Sequence, residues 1–151
     1  MNAPDATQLP AGDIPASIGQ RAAAHVLDAC VGGVPLSILM VVVSGGRPST
    51  DAYFLWTAVF AAFAGIYHTV CIRLWGRTIG KTVMNTLVVR AEDGGKVDGW
   101  SASIRALVPL VAAAVPVIGI ALVALVYGMA LRDPRRQGLH DRAAGTLVVR
   151  R

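Results

Sequence analysis

Charge is what this sequence has least of. Only 15% of its 151 residues are Asp, Glu, Lys or Arg, where a water-soluble domain carries about 25%. Cysteine is scarce too. Cys30 and Cys71 both lie in apolar runs, which excludes a disulfide framework and a C-x-x-C metal site and reads them as small packing residues. No Lys or Arg precedes Arg21, so the positively charged start of a secretory signal is missing. Residues 1–20 hold Pro4, Pro10, Pro15 and two Asp and read as a disordered tail. Aromatics make up 6% and do not alternate with basic residues, so the net charge of +5 does not describe a nucleic-acid surface.

What is present is apolar sequence in long runs. Hydrophobic residues make up 54%, mean hydropathy is +0.56, and the runs exceed what one small core can hide. Residues 22–44 and 52–75 each match the length of a helix crossing about 30 Å of hydrocarbon. Gly45-Gly46-Arg47-Pro48 separates them, and Tyr53, Trp56 and Trp75 stand at interfacial positions. A basic loop follows over 76–103, then a hydrophobic segment over 104–131 and a basic tail over 132–151. The expected fold is an all-α membrane protein with two transmembrane helices and this third segment. Pro109, Pro116 and Gly119 interrupt the third segment, making it either a helical hairpin or one kinked span.

Charge placement favours the hairpin. Six basic residues lie between Arg73 and Arg105 and six between Arg132 and Arg151, and a single crossing would put one cluster outside, against the positive-inside bias. A hairpin leaves only Arg47 outside and places the N-terminus and basic segments in the cytoplasm. Its halves are too short to cross, so it would have to be re-entrant or steeply tilted. The string Thr-Leu-Val-Val-Arg occurs twice, at 86–90 and 146–150. It has strand composition, and the two copies are expected to pair as a small cytoplasmic β element.

The residues most suggestive of chemistry are Arg21, His25 and Asp28. Their spacing puts them on one face of the first helix, which continues through Gly32 and Pro35. A carboxylate inside the membrane costs about 2.5–3.5 kcal/mol and needs a partner. Arg21, on the same face of the same helix, is the expected one. Asp28 then reads either as a proton or cation site or as half of a structural lock. His25, and His68 on the second helix, are candidate proton carriers with a quieter alternative as interfacial polar residues. Gly76-Arg77-Thr78-Ile79-Gly80-Lys81 has three residues between its glycines, one short of a phosphate loop, and no strand precedes it. It reads as a turn leaving the second helix, with Arg77 and Lys81 near anionic headgroups. His140 and Asp141 are sequence neighbours and do not make a triad. No enzyme, metal site or cofactor is expected.

Together these pieces resemble the RDD family of bacterial membrane proteins. Its arginine and first aspartate are matched by Arg21 and Asp28. Its G-x-T-x-G-K stretch is matched by Gly76, Thr78, Gly80 and Lys81, and the arginine opening its third segment by Arg105. Its closing H-D-x-x-A-G-T-x-V is matched by His140, Asp141, Ala144, Gly145, Thr146 and Val148. Asn85 departs from the glycine the family often carries before its strand. The resemblance implies a multi-pass inner-membrane protein and, by way of sodium–proton antiport described for some members, proton or monovalent cation movement. Asp28 would titrate, Arg21 would tune it, and Asp141 would pair with Arg21 or Arg105. The rival reading is an accessory or assembly subunit whose Arg–Asp pairs are structural. Expected partners are the bilayer, anionic headgroups at the basic loops, and a second copy or another membrane protein. Small residues such as Ala61 and Gly65 offer an oligomer face.

Overall fold

In the computed structural model, which describes residues 14–113, 115 and 117–151, order begins within the expected tail. Pro15 bridges Val149, the Ala16 amide donates to the Val148 carbonyl at 2.9 Å, and Ala16 is fully buried. The disorder expected over 14–20 is therefore corrected. This stretch is an added edge on the sheet, and residues 1–13 lie outside the described ones.

Ser17 opens helix α1 (Ile18–Val43) with a capping box: its hydroxyl accepts from the Gln20 amide and the Gln20 side chain accepts from the Ser17 amide. Helix α2 (Thr50–Trp75) is capped by Ser49 and stopped by Gly76, whose φ of 69° suits a residue without a Cβ. Both helices are long and apolar enough to cross a membrane. Only 11% and 6% of their most apolar stretches are buried within the protein, whereas a core helix of a water-soluble domain would be covered. Phe54, Leu55, Val42 and Ile66 point outward. So does Cys30, which is exposed and not the packing residue expected. Gly32 lets the helices meet, since a Cβ there would collide with the Phe63 ring.

The hydrophobic segment 104–131 becomes two helices, α4 (Gly99–Ala113) and α5 (Gly119–Gly128), the latter extended by a 3-10 turn over Met129–Leu131. They pack on each other. A Cβ on Gly119 would lie 2.8 Å from the Ala113 carbonyl, which explains a glycine at the fold-back; Pro116, expected to help turn the chain, lies outside the described residues. Neither helix has the length of a crossing. Helix α4 also lies along α2, where a Cβ on Gly65 would come 2.9 Å from Leu110. Gly65, expected to serve an oligomer, serves this contact inside the chain.

The repeated pentapeptides are strands β1 (Thr86–Arg90) and β2 (Thr146–Arg150), antiparallel, with Thr86 opposite Arg150 and Val88 opposite Val148. Alternation sends Val88 and Val148 to one face, with Ile72, Val97 and Ala102, and sends Val89, Leu147 and Val149 to the other. The repeat is longer than five residues. Each strand follows a one-turn helix, α3 (Ile79–Val83) or α6 (Leu139–Ala143), and a left-handed residue, Asn85 (φ 51°) or Gly145 (φ 61°). Asparagine tolerates that conformation, so the departure at Asn85 preserves the turn. The Thr86 hydroxyl donates to the Lys81 carbonyl and the Thr146 hydroxyl to the Asp141 carbonyl. The Ala91 amide donates to Gly145 and the Arg151 amide to Asn85. Two copies of one helix–turn–strand unit thus face each other, with Lys81 and Asp141 in equivalent places.

Candidate functional site: two buried carboxylate centres and the cavity between them

The loop from Gly76 to Lys81 wraps the carboxylate of Asp28. Thr78 caps α3, and its hydroxyl donates to Asp28 Oδ2 at 2.6 Å. The Gly80 amide and the Tyr67 hydroxyl donate to Oδ1 at 2.8 and 3.0 Å, and Lys81 Nζ stands 3.7 Å from Oδ2. Gly80 is required by proximity: a Cβ would collide with the Ala24 carbonyl and come 2.9 Å from the Asp28 carboxyl carbon. The G-x-T-x-G-K stretch is thus an anion cradle in the physical sense, and the anion it holds is the protein's own. Lys81, expected near headgroups, is buried. Burial and nearby Arg105, partly offset by Asp28, push its ammonium down to about 8.

Asp141 forms the second centre and is completely buried. Arg21 Nη1 donates to its Oδ2 at 2.7 Å, Arg105 Nη1 donates to Oδ1, and the Gly138 amide donates to Oδ2 at 3.0 Å. Arg105 Nη1 also reaches the Thr146 hydroxyl at 2.8 Å, and Arg21 Nη2 reaches the Val148 carbonyl at 3.3 Å. The expectation that Arg21 neutralises Asp28 is corrected here. Arg21 pairs with Asp141, and the ligands of Asp28 come from α2 and the α3 loop. Side chains on one helix face need not meet when each has a better partner across the interface.

Between the centres lies a space lined by imidazoles and cations. The ring of His25 is 6.1 Å from His68 and 4.9 Å from Tyr127, whose ring is 4.6 Å from His140. His140 is buried and its Nδ1 has no hydrogen-bond partner among the described residues. Burial first, then Arg105, pushes it down to about 2, so it is neutral at physiological pH. Among the described residues no three His, Cys, Asp or Glu side chains converge as metal ligands do.

The structure therefore brings Arg21, Arg105, Asp141 and Thr146 to one centre and Asp28, Thr78, Gly80 and Lys81 to the other, while Gly76 and Gly145 are turn residues whose carbonyls accept from Val88 and Ala91. His25, His68 and His140 line the space between. Sequence reasoning missed Tyr67, Tyr127 and Gly138. A tyrosine in an apolar helix carries no signal that its hydroxyl has a carboxylate to meet. No curated protein and no solved structure matches the chain. The RDD family model matches residues 15–145, which include both aspartates, both arginines and the cradle around Asp28, and the chain belongs to the RDD family, a membrane-associated domain.

Proposed function

We propose that this chain is a multi-pass protein of the bacterial inner membrane, not an enzyme, and that it works as an accessory or assembly module whose two carboxylate centres are structural fasteners. The observation that carries this reading is the saturation of both acids. Asp28 accepts three hydrogen bonds beside an ammonium, and Asp141 holds two guanidiniums and an amide. A site that binds and releases Na+ or a proton needs carboxylate oxygens that are free part of the time. The sheet end, where most basic residues gather, would face the cytoplasm, with Arg47 on the far side.

The second reading is proton or monovalent cation movement, and one observation favours it. The rings of His68, His25, Tyr127 and His140 make a file from the neighbourhood of Asp28 to that of Asp141. Reconstituted liposomes carrying a pH-sensitive dye separate the two. The structural reading expects no Na+-dependent pH change from the wild type, and Asp28→Asn to show itself as a lower Tm. A Na+ pulse that shifts internal pH, and fails to do so in an Asp28→Asn protein that still accumulates, would establish transport.

A further inference from the structure

Five side chains, His25, Lys81, Arg105, Tyr127 and His140, line two cavities at once, one of about 210 Å³ and one of about 390 Å³. They form a waist between two lobes. Charge at this waist does not balance among the described residues: Lys81, Arg105 and Arg21 form their ion pairs with Asp28 and Asp141, while Arg136 and Asp133, of opposite sign, act on Arg21 from further away. Donors are left over as well. Arg105 has 5% of its side chain exposed and gives Nη1 to both Asp141 and Thr146. Among the described residues Lys81 Nζ makes one long bond, 3.4 Å to Thr78, and the buried Nε of Arg21 makes none. Desolvated cations with unused donors are costly, and an anion at the waist would relieve both the charge and the donors.

The walls away from the waist are apolar. Ala64, Pro109 and Val123 bound the smaller lobe. Gly65, Ala106 and Leu110 line both that lobe and a groove of about 450 Å³ on the outer surface between α2 and α4. The space is thus cationic at one end and shares a wall of Gly65, Ala106 and Leu110 with an apolar outer groove at the other. We propose that it holds an anionic phospholipid, with the phosphate at Lys81 and Arg105 and one acyl chain leaving past Gly65 and Leu110 into the groove. Inorganic phosphate shares the head chemistry but leaves the apolar lobe and groove unfilled. The proposal rests on the membrane setting and holds whether or not Asp28 titrates.

The test is thermal unfolding of the full chain in a non-ionic detergent with added phosphatidylglycerol, phosphatidylcholine or inorganic phosphate. Phosphatidylglycerol is expected to raise Tm, while the other two leave it in place. Native mass spectrometry is expected to find one phospholipid retained per chain. Gly65→Leu, which sets a side chain against Leu110 across the exit, should weaken the phosphatidylglycerol response about tenfold in concentration, as loss of a few buried methylenes would. Lys81→Gln should weaken it too, each variant being read against its own lipid-free Tm. Equal responses to the two lipids would overturn the proposal, and so would a response to phosphate alone. Variants that bind like the wild type would reduce the effect to adsorption on the basic surface. The two-lipid and phosphate comparison uses only the wild type, so it decides even if a variant fails to fold.

Discussion

Asp28 and Asp141 look alike in composition and burial, yet they are held in different ways. Asp28 is fastened mainly by neutral donors, two hydroxyls and an amide, with one ammonium at 3.7 Å. Asp141 is fastened by two guanidiniums from α1 and α4, segments far apart in the chain. The first joins α1 to the end of α2. The second ties α1, α4 and the closing β2 unit into one knot. A carboxylate held by hydroxyls and amides can be replaced by another acceptor, whereas one holding two buried cations cannot, because its loss strands charge.

The largest expected effect follows from that difference. Asp141→Asn leaves Arg21 and Arg105 without a counter-charge and should cost about 3–5 kcal/mol, the scale of breaking a buried pair, read as failure to accumulate or as the greatest fall in Tm. Asp28→Asn keeps an acceptor for Thr78 or Gly80 and strands only Lys81, so it should cost about 1–3 kcal/mol. Equal losses from the two would break the comparison. A cycle sharpens it: adding Lys81→Met to Asp28→Asn should restore part of the loss, whereas non-interacting sites would add.

A smaller effect is expected from pH. The imidazole of His140 is held near 2 in the folded chain, below its ordinary 6.5, so on acidification the unfolded chain takes the proton first. Its contribution is complete above about pH 6.5 and is lost as pH falls, by about 1 kcal/mol at pH 5.5. His140→Asn should remove that part of the acid sensitivity, measured as the difference in Tm between pH 7.5 and 5.5. The smallest effect belongs to the pair of Arg142 and Asp133, where the arginine is half exposed and the covered aspartate keeps the Gln137 amide as a donor. Arg142→Ala should change stability by only about 0–1 kcal/mol, and a larger loss would mean that surface pairing, too, holds the fold.

How much could be read beforehand varies with the range of the interaction. The two long helices, their break at Gly45-Gly46 and the pairing of the two Thr-Leu-Val-Val-Arg copies are legible, because hydropathy, turn residues and repetition are local. The fold-back of α4 on α5 is legible as one of two options through charge placement. The partner of Asp28 is not. Helix periodicity correctly places Arg21, His25 and Asp28 on one face, but it cannot say that Asp141, distant in the chain, is the better partner for Arg21. The stretch from Gly76 to Lys81 is visible only as a turn with basic residues, and its role as a cradle is hidden because the anion it holds is an aspartate on another helix.

Composition and periodicity alone dictate that this chain is apolar beyond the needs of a small core, that it forms two membrane-length helices, and that its basic residues crowd toward one end. Those properties depend on each residue and its near neighbours. That Asp28 is held by Tyr67, Thr78 and Gly80 and that Lys81 turns inward were decided only when α1, α2, α4 and the two helix–turn–strand units came together. Burial makes each charge choose the nearest good partner in space, and spatial distance is not written in sequence order.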